Sequence, residues 1–333
     1  MRPTLSVSLP SRQNNLTSSN SHIRVGLIGA GPWGRNIVRT IEAIDGVELS
    51  LVMNQSGSRP DFIPDNIPVA AYRPDLLNPK TIDAVFIATP PHSHAEIAMA
   101  AMRRRLPVFI EKPLTLNTRD ATAITTQHKL TPAPFFVDHI YLFHAGFRAL
   151  KSALAGAGRI RAISSIGGNW GPFRPDTSTL WDWAPHDIAM CLDLVGQNPD
   201  DMICHRPEIG KNGQGQRLEF SLTFPGPCEA RINIGNIFQK RRRQITVYAE
   251  TAALRFEDEA EPRVVRYPAS NPFEDLQGNG ETMDFSGQPP LTQALMEFCH
   301  AIRQNDQSSA RLKLGTDVVA LIERPDRKIL NGS

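Results

Sequence analysis

The sequence has few of the features that mark specialised classes of protein. Its four cysteines, Cys191, Cys204, Cys228 and Cys299, show no C-x-x-C spacing and no cluster with histidine, so no metal site and no disulfide framework is expected. We expect them to be small apolar residues of a reducing, cytoplasmic protein. The net charge of +2 provides no overall field that would favour nucleic acid or a membrane surface.

Long apolar runs are also missing. No segment reaches the ~18 consecutive apolar residues that a membrane span requires, so no membrane association is expected. Residues 1–21 are rich in serine and asparagine and lack the apolar stretch of a secretory signal, which predicts a disordered tail. The remainder is long enough for two domains.

Strand-like and helix-like patterns alternate between residues 22 and 141. Short Val/Ile/Phe-rich runs such as "IRVGLI", "VELSLVMN", "DAVFIATP" and "PVFIEKP" are separated by segments with helical spacing. This pattern predicts an α/β fold with a doubly wound parallel sheet, the Rossmann architecture. From residue 142 to 333 the runs alternate as antiparallel strands do, which predicts an α+β domain with an open, mainly antiparallel sheet for substrate binding and oligomerisation.

A glycine motif follows the first strand. "GAGPWG" places Gly29, Gly31 and Gly34 as G-x-G-x-x-G, with Pro32 and Trp33 between them at the start of a helix. In this context the glycines permit a tight turn, close approach to a pyrophosphate and helix–sheet packing. The motif predicts dinucleotide binding; a glycine-rich turn without a ligand is the alternative.

The end of the second strand bears on the choice of dinucleotide. Asn54 stands where an NAD-binding protein usually has an acidic residue, and Ser56 and Arg59 follow it. No carboxylate is present there to repel a 2′-phosphate. These residues favour NADP over NAD, although a plain polar loop would have the same composition.

Two further motifs end neighbouring strands. "ATPPHSH" places Thr89, Pro90 and His94 at the carboxyl edge of the sheet, where a cofactor contact and a packing role for His94 are both open. "FIEKP" places Glu111 and Lys112 at the same edge. A lysine there can stabilise negative charge on a substrate oxygen, and Glu111 can hold the lysine or contact the cofactor, while a surface ion pair is the alternative.

The segment "LWDWAPHDIAM" supplies a second group of polar residues. Pro185 suits the first turn of a helix, which predicts a helix start there, with His186 neutral near its positive end. Asp182 is then predicted to precede the helix and to orient His186 or bind a hydroxyl. A buried structural histidine is the alternative. The basic run at 240–243 could attract a nucleotide diphosphate, but it is interpreted as a solvated or edge-protecting strand segment.

Together the glycine motif, "EKP" and "D-x-x-x-H-D" resemble the Gfo/Idh/MocA family of oxidoreductases. The resemblance implies that Lys112 is the catalytic lysine, Asp182 the aspartate and His186 the base, and that the protein is a homodimer or homotetramer. The segment from 169 is most similar to nucleotide-sugar members such as UDP-N-acetylglucosamine 3-dehydrogenase-like enzymes. That likeness implies that Asn169 and Arg174 contact the substrate.

The function predicted from these residues is hydride transfer between NAD(P) and a secondary alcohol or ketone of a sugar, nucleotide sugar or cyclitol. Two alternatives remain open. One is a redox-neutral, NAD-dependent glycosidase of the same family. The other is a non-catalytic sensor that binds a dinucleotide.

Overall fold

A computed structural model of the chain describes residues 22–173, 177–205, 207–276 and 278–330, without the side chains of 212 and 325–330. Its first part alternates strands and helices. The strands are β1 Ile23–Ile28, β2 Val47–Asn54, β3 Val69–Ala71, β4 Ala84–Ile87, β5 Val108–Glu111 and β6 Phe135–Asp138. The helices are α1 Pro32–Glu42, α2 His94–Met102 and α3 Thr118–Leu130.

These six strands form one parallel sheet in the order β3-β2-β1-β4-β5-β6. The predicted Rossmann architecture is therefore confirmed. The strand order reverses between β1 and β4, and such a switch point opens a crevice at the carboxyl ends of the strands. β4 and β5 are buried along their whole length, which explains their uninterrupted apolar sequences.

A nine-stranded sheet forms the second part. Its main path runs β15-β14-β13-β12-β7-β11-β10-β8, with β9 paired to β10; among the described strands of this sheet, β7 and β11 pair in parallel and the other pairs are antiparallel. The predicted mainly antiparallel sheet is thus confirmed. The strands are β7 Ile160–Trp170, β8 Asp201–Cys204, β9 Glu208–Ile209, β10 Gln216–Thr223, β11 Glu229–Gly235, β12 Ile237–Ala249, β13 Ala252–Glu257, β14 Arg263–Pro268 and β15 Glu281–Met283.

Two helices pack on the second sheet, α4 Ala145–Leu154 and α5 Thr179–Val195. The predicted start of α5 at Pro185 is wrong. Ser178 caps the helix by accepting the N–H of Trp181, and Pro185 lies inside it, where it removes one backbone hydrogen bond. Asp182 is therefore in the helix, and His186 lies beyond the first turn, where the helix dipole has little effect.

The last two helices, α6 Pro290–Arg303 and α7 Ala310–Leu330, return to the first sheet. Phe298 of α6 packs in tilted or edge-on contacts against Phe86, Phe109 and Phe136 of β4, β5 and β6, at centroid distances of 5.3–5.6 Å. The C-terminal segment thus completes the core around the first sheet. The domain boundary at residues 141 and 142 stays a prediction.

The structure describes all four cysteines and the lengths of the helices. All four cysteines are free thiols; three are buried and Cys204 is half-buried. Within the described ranges, every helix is too short or too polar to cross a bilayer.

Candidate active site

A cavity of about 650 Å³ lies between the carboxyl ends of the first sheet and the elements α5 and β12. The first sheet contributes the glycine turn, the loop after β4 and the ends of β5 and β6. The second part contributes aromatic and charged side chains. The lining residues discussed below are Gly31, Pro32, Trp33, Thr89, Pro90, Glu111, Lys112, Asp138, Tyr141, His144, Trp181, Asp182, Trp183, His186, Arg243 and Asp258.

The glycine turn has the geometry that a dinucleotide requires. Gly29 has φ +98°, and a Cβ there would lie 2.4 Å from the carbonyl oxygen of Ala88. A Cβ on Gly34 would lie 2.3 Å from the carbonyl oxygen of Gly29, so the helix approaches the turn too closely for any side chain. A Cβ on Gly31 would meet nothing within 4 Å. Gly31 also caps α1 without a side-chain hydrogen bond, so the first N–H groups of α1 fit a pyrophosphate.

The loop after β2 is held by its own polar side chains. The amide of Asn54 donates to the Ser58 carbonyl at 2.8 Å, and its oxygen accepts the Gly57 N–H at 2.6 Å and the Ser56 hydroxyl at 3.3 Å. Arg59 donates to the carbonyls of Pro64 and Ile67. These contacts shape the loop beside the cavity rather than its lining.

His94 connects two strand ends. Its Nδ1 lies 2.9 Å from the Pro113 carbonyl and its Nε2 lies 2.9 Å from the Thr89 carbonyl. Burial lowers the pKa of His94, so the neutral ring donates to one of these oxygens at a time. This contact fixes the loop after β4, including Thr89, against the exit of β5. His94 itself does not line the cavity.

Lys112 enters the cavity from the end of β5. Its Nζ donates to the carbonyl oxygen of Asp182 at 2.6 Å and to Oδ1 of the same residue at 3.1 Å. Both side chains are largely covered, with 17% and 19% of their surfaces exposed. The structure therefore joins the strand-end lysine and the aspartate of α5, which are 70 positions apart in the sequence.

His186 lies next to this pair on α5. Burial, Lys112 and Arg243 lower the pKa of His186 well below its ordinary value, so the imidazole is neutral. Its Nδ1 has no hydrogen-bond partner among the described residues, and its ring meets Tyr141 edge-on at 5.3 Å. Neutrality was predicted from the helix end, but it arises from burial.

The basic run at 240–243 contains a residue that sequence reasoning placed wrongly. β12 lies between β13 and β7 in the sheet, and its register with β13 begins at Gln244, directly after the run. Lys240 and Arg241 are exposed, but Arg243 is 2% exposed and donates from Nη1 to both carboxylate oxygens of Asp187 at 2.9 Å. Burial opposes the charge of Arg243, yet Asp187 raises its pKa above the ordinary value.

Arg243 owes its position to its neighbours. Its guanidinium lies 4.4 Å from the centre of the Tyr141 ring. A Cβ on Gly167 would come within 2.7 Å of the guanidinium, so this glycine makes room for it. Ser165 donates a further hydrogen bond to Asp187 at 2.6 Å.

A second histidine lines the cavity near the start of α4. His144 Nδ1 accepts the N–H of Gly146 at 3.0 Å, and Nε2 lies 3.7 Å from Oδ1 of Asp258. Asp258 also accepts from Arg241 at 2.7 Å. Arg241 and the cavity-lining Arg243 therefore each have a carboxylate partner.

A family model described as an oxidoreductase family with an NAD-binding Rossmann fold matches residues 23–139. The crystal structure of a protein described only as an oxidoreductase, from Magnetospirillum magnetotacticum MS-1, is 33% identical with a TM-score of 0.84; the match covers 91% of this chain and 99% of that one. The chain belongs to the Gfo/Idh/MocA family. The resemblance read from the sequence motifs is thus confirmed.

Two relatives in this family have named sugar-type activities. UDP-N-acetylglucosamine 3-dehydrogenase of Acidithiobacillus ferrooxidans is 29% identical over 184 residues, 54% of this chain and 57% of the relative. Myo-inositol 2-dehydrogenase of Thermotoga maritima is 25% identical over 217 residues, 61% of this chain and 65% of the relative. The match therefore spans only part of either relative. The solved structure of the Acidithiobacillus enzyme, at 23% identity and a TM-score of 0.75, shares the fold.

Within this Gfo/Idh/MocA chain, the predicted site residues divide into three groups. Those that line the cavity are Gly31, Pro32, Trp33, Thr89, Pro90, Glu111, Lys112, Asp182 and His186. Those outside its lining are Gly29, Gly34, Asn54, Ser56, Arg59, His94 and Asn169. Arg174 lies outside the described residues. The functional roles given to all of them stay predictions.

Several cavity residues of this family member were not found from the sequence. Asp138 ends β6 beside Glu111, and the shared carboxyl edge of parallel strands was a signal that could have revealed it. Arg243 shares strand parity with the buried Ile245 and Val247, which was a second usable signal. Tyr141, Trp183 and Asp258 depend on tertiary packing and gave no local signal.

Proposed function

We propose that the protein is an NAD(P)-dependent oxidoreductase that interconverts a secondary alcohol and a ketone on a sugar, nucleotide sugar or cyclitol. The observation that carries the proposal is the placement of Lys112. Its ammonium group is held by Asp182 within a cavity that also contains His186 and the open turn at Gly31. A cation, a neutral base and a dinucleotide turn thus meet in one enclosed space.

The roles of the side chains follow from their charges. Lys112 donates a hydrogen bond to the substrate oxygen and stabilises the negative charge that develops there. His186, which burial keeps neutral, accepts the hydroxyl proton, and in the reverse direction both groups act as acids. Asp182 holds the ammonium group of Lys112 in position. The bound nicotinamide cofactor supplies the hydride acceptor or donor.

The nature of the substrate is supported by the aromatic walls. Tyr141, Trp181 and Trp183 line the cavity together with charged groups, a combination suited to a ring with apolar faces and polar edges. The sugar and inositol activities named for the relatives agree with this chemistry. A cytoplasmic homodimer or homotetramer is part of the proposal.

NADP is the proposed cofactor. No carboxylate occupies position 54, and the exposed Ser56 and Arg59 lie on the loop that follows. Arg59 uses Nη1 and Nη2 for one loop carbonyl each, which leaves its exposed face for a phosphate. NAD is the competing choice.

The test is a panel of UDP-sugars, free sugars and inositols, offered with NAD and with NADP, while reduced cofactor is followed by absorbance. Lys112→Ala is expected to lower kcat by about 10²–10³-fold, since it removes the charge that stabilises the oxyanion. Its affinity for cofactor, measured by tryptophan fluorescence, is expected to change little. Lys151→Ala is the control, because Lys151 is a surface lysine paired with Asp193.

Other outcomes have distinct meanings. Full activity in Lys112→Ala contradicts the catalytic role of this lysine. Release of sugar from an aryl glycoside without accumulation of reduced cofactor indicates the redox-neutral glycosidase. Cofactor binding without turnover of any panel member, in either direction, indicates the sensor.

A further inference from the structure

Two carboxyl side chains at the base of the cavity are not used by the proposed mechanism. Glu111 is the last residue of β5 and Asp138 the last residue of β6, and they are direct partners in the parallel register. Neighbouring strands lie about 4.8 Å apart, so these side chains are adjacent. Both line the cavity, although Glu111 is only 9% exposed and Asp138 only 1%.

These carboxyl groups have almost no donors. Among the described residues, Oε1 of Glu111 and both oxygens of Asp138 are buried without a hydrogen-bond partner. The nearest cation, Lys112, directs its hydrogen bonds to Asp182 instead. The two carboxyl groups contact each other, and the backbone N–H of Lys112 also acts on Glu111. Two adjacent buried carboxylates with so few donors repel each other, and such pairs retain a proton between them.

Of the ionisable groups around this site, the carboxyl pair is the one whose protonation changes near neutral pH. Burial raises the pKa of Asp138 to about 6, and burial together with Asp138 raises the pKa of Glu111 well above its usual range. Lys112 is the other charged group that acts on the pair, while His139 follows Asp138 in the chain and His186 lines the same cavity. Burial lowers the pKa of His139 to about 3 and that of His186 well below its ordinary value, so both rings stay neutral.

We propose that Glu111 and Asp138 act as a positioning pair for the nicotinamide ring, with one shared proton when the ring is oxidised and two protons when it is reduced. The inference rests on the proposed function. The oxidised ring carries a positive charge and the reduced ring carries none. One negative charge on the pair therefore favours the oxidised form, and a second proton keeps the local charge unchanged once the ring is reduced.

The proton balance is consistent with the reaction. Oxidation of an alcohol removes a hydride and releases one proton from the hydroxyl group. The pair takes up one proton when the ring loses its positive charge, so a proton from the reaction or from solvent satisfies it. No further oxidant or reductant is required.

The test is the affinity for each form of the cofactor, without substrate. Dissociation constants for oxidised and reduced cofactor are measured from pH 5.5 to 8.5 through the fluorescence of the cavity tryptophans. In the wild type, the ratio of the reduced to the oxidised dissociation constant is expected to rise with pH, because the deprotonated pair favours the oxidised ring. Both forms of the cofactor carry the same phosphates, so the effect of phosphate titration cancels in the ratio of the two dissociation constants.

A double variant removes both titratable carboxyl groups of the pair. Glu111→Gln with Asp138→Asn is expected to bind oxidised cofactor about tenfold more weakly at pH 8, to bind reduced cofactor at least as tightly as the wild type because no proton has to be taken up, and to have a ratio independent of pH. Asp193→Asn, which removes a carboxylate paired with Lys151 outside the cavity, should leave the ratio unchanged. If the double variant fails to fold, Asp138→Asn alone is expected to move the midpoint of the ratio away from its wild-type pH, because a lone carboxyl group has no shared proton.

The outcomes separate this inference from the proposed function. If the wild type binds neither cofactor form, the proposed function fails. If both forms bind and the wild-type ratio is flat, or the variants leave its pH dependence unchanged, the positioning role of Glu111 and Asp138 is overturned while the oxidoreductase proposal stands.

Discussion

Two buried charged clusters line the same cavity, and they are satisfied in different ways. On the second sheet, Arg243 and Asp187 form a salt bridge, and Ser165 adds a hydrogen bond to the carboxylate. At the edge of the first sheet, Glu111 and Asp138 lie side by side with three oxygens that have no donor in the described part of the chain. The first cluster has its charges matched and the second does not.

The first arrangement is suited to holding the fold in one geometry, and the second is suited to a change of protonation. A buried salt bridge that is fully hydrogen-bonded fixes one geometry, and removal of either member leaves an uncompensated charge. An unmatched carboxyl pair is costly to the folded state and is free to change its protonation. A destabilising, titratable pair of this kind is expected where a site must respond to a ligand. The predictions below test this contrast through the free energy of unfolding.

The largest effect is expected for the matched cluster. Asp187→Ala leaves the guanidinium of Arg243 buried without its partner and should lower the free energy of unfolding by about 3–5 kcal/mol. Urea unfolding measures the loss. Asp187→Leu combined with Arg243→Met should recover most of the stability, since the pair is replaced by apolar groups. A single variant as stable as the wild type would show that the salt bridge is not needed.

The unmatched pair should respond in the opposite direction. Folding raises the pKa of Asp138 from 3.8 to about 6, so the folded state loses stability as pH rises through this interval. An asparagine side chain does not ionise, and Asp138→Asn should therefore be more stable than the wild type at pH 8, by about 3 kcal/mol, and about equally stable at pH 4. Unfolding at the two pH values measures this difference. Equal free energies of unfolding for Asp138→Asn and the wild type at pH 8 would show that the charged pair does not destabilise the folded state.

The smallest effect is expected at the hydroxyl beside the matched cluster. Ser165→Ala removes the hydrogen bond to Asp187 at 2.6 Å but leaves the salt bridge in place. The expected loss is about 1–2 kcal/mol in the free energy of unfolding. Ser164→Ala, on the same strand but with its side chain on the other face, serves as the control. A loss as large as that of Asp187→Ala would mean that the hydroxyl, and not the ion pair, satisfies the carboxylate.

Much of the fold was predictable because its signals are local. The apolar runs of β1, β4 and β5 and the glycine turn at Gly29 depend on a few consecutive residues, and they lie where the sequence analysis placed them. β3 was missed because its three residues are too few to form a pattern. The start of α5 was misplaced because the cap at Ser178 determines it, while Pro185 is tolerated inside.

The candidate site was only partly predictable. Lys112 and His186 could be found because each stands in a short motif, and the cavity brings them together. That Lys112 pairs with Asp182 was not predicted, because the partners come from different sheets. Arg243 was interpreted as solvated, since the strand's internal position and its contact with α5 are properties of the assembled sheet.

The return of α6 to the first sheet also determines when that sheet is finished during synthesis. Phe86, Phe109 and Phe136 leave the ribosome long before Phe298, which covers them. At translation rates of about 5–20 residues per second, the interval between Phe136 and Phe298 lasts about 10–30 s. During this interval the phenylalanines of the first sheet are not covered by Phe298. This face of the first sheet is therefore buried only when the chain is almost complete.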